Sequence, residues 1–233
     1  MHDHFTFIGT IIDDPIRQKF VSAVLLALFL FLMAALAYGR VSSVSKRERY
    51  IVPKKFSLVG FFDFFVETFV HYQDTILGVE NRKYAPFCGS VFLFLLSANL
   101  LGLIPGMAAI TTTVAVNIGV ALVVFCYFNY LGVKVNGLIG YLKHFGGPIL
   151  ALAPLIFVIE AISTCLRVLT LNLRLYWNIS ADHIIMSVFM EIYPLLGVAA
   201  YFLGAFVAFV QAFVFTTLTM IYIQLAVQHS EEE

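Results

Sequence analysis

From Gly197 to Gln228 the chain carries no charged residue, and the same holds from Phe20 to Gly39. No other feature limits the fold more. A surface helix of a soluble domain keeps a charged or polar face toward water. A run of about 20 mainly apolar residues has instead the length needed to cross a hydrocarbon core about 30 Å thick. Such a run folds as a helix, because lipid offers no partner for a free backbone N–H or C=O. Composition agrees: of 233 residues, 61% are hydrophobic and 12% charged, against about 25% charged in an ordinary soluble domain. Net charge is zero, which leaves no electrostatic case for nucleic acid as a partner. Cys88, Cys126 and Cys165 lie far apart, each in an apolar run. They read as small core hydrophobes, not as a disulfide framework or a metal site, and no metal or cofactor is expected.

The first run, 20–39, reads as a true span. It outlasts a secretory h-region of about 7–15 residues, and Asp13 and Asp14 stand where a signal peptide is basic. A second span covers 87–104, interrupted by Ser97 and Asn99 and ended by the turn dipeptide Pro105-Gly106. A third covers 114–131. Two longer apolar tracts follow, 148–193 and 197–228. Wholly helical, they would measure roughly 69 Å and 48 Å, so each must tilt steeply, break, or run partly along the membrane. Segment 53–79 differs. Asp63, Glu67, His71 and Asp74 recur at helical spacing, and Phe61, Phe62, Phe64, Phe65, Phe69 and Val70 fill the rest. That pattern suits an amphipathic helix lying at the interface; a short buried helix of a soluble subdomain is the alternative.

The expected fold is therefore an all-α membrane protein in a single domain, 1–233. It has five membrane-embedded helices and one interfacial helix. Arg40, Lys46, Arg47, Arg49, Lys54 and Lys55 follow the first span, Arg82 and Lys83 precede the second, and Lys134 and Lys143 follow the third. The turn at 105–113 has no basic residue. The positive-inside rule then puts the N-terminus outside and the C-terminus in the cytoplasm, with Arg17 and Lys19 weakly opposed.

Ionisable residues inside a membrane are costly and mark function by default. The tract 148–193 holds Glu160, Arg167, Arg174, Asp182, His183 and Glu191. Glu160, Arg167 and Arg174 are spaced by seven and so share a helix face. Arg174, Asn178 and Asp182 continue it by fours, with Ser163 and Thr170 close to the same line. Such a stripe faces water or partner protein, or else packs in a bundle with Glu160 and Arg167 paired. Arg167 alone can also snorkel to the surface. An arginine stays protonated at working pH, so Arg174 is no proton carrier. It serves as a fixed barrier or as the transient partner of a carboxylate. His183, Glu191, Asp182 and Glu160 can exchange protons, and they lie on both sides of Arg174. That order suits two half-paths separated by an electrostatic gate.

These residues carry a resemblance. Leu171-Asn172-Leu173-Arg174-Leu175-Tyr176-Trp177-Asn178, continuing to Ala181-Asp182-His183, is its most specific stretch. Gln211-Ala212-Phe213-Val214-Phe215-Thr216, Asn99–Gly106, and Tyr141-Leu142-Lys143-His144-Phe145 with Pro148 add to it. Together they resemble subunit a of the rotary F-type ATP synthase, over most of the chain from Arg82 onward. The resemblance implies a non-catalytic channel subunit that moves protons, coupled to ATP synthesis. It implies that the last two helices pack against a rotor ring of proteolipid c subunits. Peripheral-stalk b subunits, other subunits of the complex and membrane lipid complete the expected partners. The expected location is a bacterial inner membrane, or alternatively a mitochondrial one. Arg174 matches the essential arginine that faces each ring carboxylate, and Gln211 the glutamine packed near it. Asn178 and His183 match positions of the outer half-channel. Glu160, Ser163 and Thr170 match positions of the cytoplasmic one.

Three departures stand out. Gly204 occupies the place, seven before the glutamine, where many relatives carry Glu or His. Glu191, eight beyond His183 and within roughly 80° of its face, is expected to supply the missing protonatable group, with Asp182. Trp177 replaces a small residue, and Val168 a proline. Two other classes compete. A secondary anion transporter built around Arg174 would show paired interrupted helices in both halves, which this sequence lacks. An inert structural subunit would tolerate apolar replacement of its polar tract residues.

Overall fold

The computed structural model describes residues 14–43, 58–104, 107, 110–146 and 194–227, with scattered positions between Ile159 and Phe189. Every element among the described residues is helical. Helix α1 spans Pro15–Ser43, α2 Leu58–Leu77, α3 Ala85–Leu103, α4 Val114–Gly146 and α5 Pro194–Val227. Short 3-10 turns at Val79–Tyr84 and Ile110–Thr112 lead into α3 and α4. The described positions of the 148–193 tract, from Ile159 to Phe189, are helical as well.

Local chemistry fixes the ends. Pro86 occupies the first turn of α3, where its missing N–H is no loss. At the other end Ile104 is extended, at φ −78° and ψ 122°, because the residue before a proline is driven out of the helical region. Pro194 opens α5 in the same way as Pro86 opens α3. Gly78 stops α2 at φ 79° and ψ 158°, a conformation open essentially to glycine alone.

Four helical stretches are long and apolar enough to cross a membrane: 17–36, 79–103, 114–137 and 197–227. The chain is thus a multi-pass membrane protein. This count is one below the expected five, because the expected fourth crossing, 148–193, falls largely outside the described residues. The third crossing also differs from its expected extent. α4 runs on past Leu131 and breaks only at Gly137, with φ 71° and ψ 162°. Gly132, Lys134 and Asn136 dilute the apolar pattern without ending the backbone ladder.

The core lies where α2, α3, α4 and α5 meet. Leu77, Tyr84, Cys88, Phe92 and Leu95 pack with Ala121, Val124, Phe128 and Leu131, and with Ala212, Phe215, Met220 and Ile223. Helices α3 and α4 both pack against α5, and Phe87 of α3 stacks on Tyr127 of α4 at 3.8 Å between centroids. A smaller cluster joins Ala23 and Leu26 of α1 to Ala98 and Ile110. The first half of α1 therefore lies at the same end of the bundle as the α3–α4 turn, as alternating crossings require. From Ala27 to Leu36 the side chains of α1 are exposed or half-buried, with Phe31 at 73%. Cys88 is buried as expected, but Cys126 is exposed on the outer face of α4. The expectation failed there because lipid-facing and core-facing surfaces are equally apolar.

Polar side chains tie the helices together. Asn99 of α3 donates from Nδ2 to the Ala208 carbonyl of α5 at 3.2 Å. Asn136 of α4 donates to the Ala226 carbonyl at 3.0 Å. Helix α2 is clamped at its C-terminal corner. Arg82 Nε and Nη2 grip the Asp74 carboxylate, the shortest contact being 2.6 Å. Gln73, fully buried, donates to the Asn81 carbonyl at 3.2 Å, and Asn81 donates to the Leu77 carbonyl.

Hydrogen bonds from Arg82 hold the Asp74 carboxyl below the usual carboxylate range. A carboxyl lowered on folding stabilises the native corner above its unfolded pKa, about 3.9. That contribution is lost as pH falls through the lower, folded value. Amide exchange across 74–84 should therefore be independent of pH down to about 4 in its protection, then accelerate in stronger acid. In Asp74→Asn the faster exchange should appear at every pH.

Candidate functional site

Several large apolar residues of the tract around Arg174 share one side at helical spacing. Ile159, Ile162, Leu166, Leu169, Leu173, Trp177, Ile184 and Val188 are all exposed. They make one continuous apolar stripe along a helix. Arg174 and Thr170 lie on that same exposed side, one turn apart. Among the described residues Arg174 has no ion-pair partner. A permanent cation thus stands uncovered in the middle of a surface otherwise built for lipid or protein. Trp177, 64% exposed, lies one turn beyond it on the same side, with Tyr176 edge-on at 5.7 Å. The bulky indole therefore points outward beside Arg174.

Gln211 takes the opposite setting. It is buried at 4% exposure on the inward line of α5, with Ala208, Ala212 and Phe215. Gly204, two turns earlier on that line, is also buried. The carbonyl that receives Asn99, at Ala208, lies between them. The aromatic side of α5 faces away from this line: Phe202, Phe206, Phe209 and Phe213 are all exposed. Glu160, Ser163, Asn178, Asp182, His183 and Glu191 lie outside the described residues, as do Arg167 and Val168. The structure therefore places Arg174, Thr170, Gln211 and Gly204 from the expected site.

It also adds residues that the sequence reading passed over. Asn99, near the end of α3, and Thr111 and Asn117, leading into α4, are each at most 2% exposed. Asn117 Nδ2 donates to the Thr111 carbonyl at 2.7 Å. Asn99 Oδ1, Thr111 Oγ1 and Asn117 Oδ1 each lack a hydrogen-bond partner among the described residues. Buried oxygens of this kind are ordinarily met by water or a ligand. The available signal was a lone amide inside each apolar run, which is more often a simple helix–helix tie.

With this geometry in place, the comparisons with known proteins are decisive. The ATP synthase A chain family matches residues 7–224. The chain belongs to the ATP synthase A chain family. The ATP synthase subunit a of Bdellovibrio bacteriovorus is 42% identical over 201 residues, which cover 84% of this chain and 88% of that protein. The ATP synthase subunit a of Sorangium cellulosum is 38% identical over 230 residues, covering 97% and 89%. That of Nitratidesulfovibrio vulgaris is 45% identical over 155 residues, covering 66% of each. The resemblance read from Arg174, Gln211 and their neighbours is thereby established for the family. The four apolar crossings agree with it.

Proposed function

We propose that this chain is the stationary membrane subunit of an F-type ATP synthase and passes protons to and from a rotating ring of proteolipid c subunits. The observation that carries this reading is Arg174, exposed on an apolar stripe. A guanidinium facing lipid costs several kcal/mol, so its surroundings in the membrane supply an anion. A carboxylate carried past on a ring of helices meets that need while leaving again with each step. Protons enter from the outer side near His183, Asn178, Asp182 and Glu191 and neutralise that carboxylate, which then turns through lipid. After nearly a full rotation it releases its proton into a cleft lined by Glu160, Ser163 and Thr170. Arg174, with Gln211 beside it, separates the two clefts. It favours the ionised carboxylate by opposite charge and repels a proton crossing directly.

Asn99, Thr111 and Asn117 support a wet path at one end of the bundle, since their buried oxygens call for water. With the N-terminus outside, that end is the outer one. The tract 148–193 supplies the fifth embedded helix and α2 lies at the cytoplasmic interface. Peripheral-stalk b subunits hold the assembly in a bacterial inner membrane, or alternatively a mitochondrial one. The chain itself carries no catalytic step; ATP chemistry belongs to other subunits.

Isolation of the tagged chain from native membranes in mild detergent tests the partners. Small two-helix proteolipids and ATPase subunits should accompany it in fixed ratio. Recovery of the chain alone, or only with a second copy of itself, would refute the assignment.

A further inference from the structure

Tyr72 links α2 to α5 in a way that neither the family nor the proposed path requires. Its hydroxyl lies 2.8 Å from Thr217 Oγ1, and its ring packs on Phe213 at 4.9 Å between centroids. The direction of the hydrogen bond follows from counting protons. Thr217 has one hydroxyl proton, and it goes to the Phe213 carbonyl at 2.8 Å. Tyr72 O–H must therefore donate to Thr217, which donates in turn to the α5 backbone. The chain from α2 ends two residues beyond Gln211.

That stretch of α5 is dense in side-chain hydroxyls bonded back to the helix itself. Thr216 Oγ1 bonds back to the Ala212 carbonyl and Thr219 Oγ1 to the Phe215 carbonyl, each at 2.9 Å. With Thr217, three threonines in four positions share the backbone acceptors of one turn. Back-bonding of this type weakens and bends a helix. A turn loaded in this way is steadied by an external contact, and Tyr72 provides one by both hydroxyl and ring. In the two residues after Tyr72, α2 is itself locked, through Gln73–Asn81 and Asp74–Arg82.

We infer that Tyr72 is a positioning residue: through Thr217 it holds this turn of α5 against α2 and so fixes the placement of Gln211. This rests on the reading that Gln211 works beside Arg174 in proton transfer. The hydroxyl chain and not the aromatic contact alone carries the effect.

The test uses the assembled complex, purified and reconstituted into phospholipid vesicles, with the ATP-driven proton-pumping rate measured per assembled complex. Tyr72→Phe keeps the ring and removes the hydroxyl; Thr217→Val keeps the volume and removes the relay. Each should slow pumping about fivefold, the factor for one net hydrogen bond. The double variant should be no slower than either single one, and Thr217→Ser should pump at the wild-type rate. A purely structural tie would lower the yield of complex and leave the rate per complex unchanged, which would overturn the inference. So would multiplying effects in the double variant. Where Tyr72→Phe fails to assemble, the contrast of Thr217→Val with Thr217→Ser decides. Arg174→Ala, measured alongside, separates the two levels. Its loss of pumping upholds the underlying reading whatever Tyr72 does, and its normal pumping overturns both.

Discussion

Replacing Arg174 by alanine should abolish ATP-driven proton pumping while leaving the complex assembled. The two halves of that expectation have different causes. Arg174 is exposed and makes no ion pair among the described residues, so its removal strands no charge among them. An exposed guanidinium on an apolar stripe contributes little to the fold. Its work is done on the group that faces it. An opposite charge within about 4–6 Å lowers a carboxyl pKa by about 1–3 units, and each unit is a factor of ten in the ionised fraction. Losing that influence should cut ring deprotonation, and hence coupled pumping, by about ten- to a thousandfold. The same substitution opens the barrier between the clefts, so passive proton leak should rise as pumping falls. Lysine should rescue poorly, because its compact ammonium lacks the planar fork that meets both carboxylate oxygens. A variant that pumps normally would exclude the mechanism and favour a structural subunit.

The second large effect is expected at Glu191. The argument starts from Gly204, which is buried on the same line of α5 as Gln211. The position at which many relatives carry an acid or a histidine is here bare backbone inside a helix interface. Ala208, one turn on, already accepts the Asn99 amide, and an amide is not a proton donor at working pH. We propose that a protonatable group comes from the tract, where a spacing of eight would set Glu191 within roughly 80° of the face of His183 on an ideal helix. Removing a positioned acid or base typically costs about a hundredfold or more in proton transfer. Glu191→Gln should therefore slow pumping on that order, and Glu191→Asp should retain part of the rate. Pumping unaltered in Glu191→Gln would assign the missing group elsewhere, with Asp182 the next to examine by the same measurement.

The legible part of the fold was whatever depends on local pattern. Apolar length announced crossings at 20–39, 87–104, 114–131 and 197–228, which the structure has at 17–36, 79–103, 114–137 and 197–227, and Pro105 announced the end of α3. Helix limits were less legible, since a span ends where lipid ends but a helix ends where its hydrogen bonds do. Helix α1 thus continues to Ser43, beyond the apolar run that closes at Gly39. Helix α4 passes Leu131 and Asn136 before Gly137 turns the backbone. The Gly78 corner was invisible because its cause is a dihedral angle rather than a composition. The site was legible to the extent that charge is conspicuous in an apolar tract: Arg174 announced itself by cost alone. Its exposure, and the burial of Gln211, were not readable, because either face of such a helix is greasy. The ties from Asn99 to Ala208, Tyr72 to Thr217 and Asn136 to Ala226 join residues 109, 145 and 90 positions apart. No periodicity in one segment encodes a partner so distant.

The two asparagine ties on α5 have a mechanical meaning. Ala208 and Ala226 are separated by about 27 Å of helix, and each carbonyl is held by an amide from a different neighbour. Between them, Tyr72 meets the helix at Phe213 and Thr217. Helix α5 is therefore a beam resting on three supports, with its side at Phe202 and Phe206 free. A sideways load on that free side bends only the short lengths between supports. A load along the axis cannot slide the helix by one residue unless both amide ties let go together.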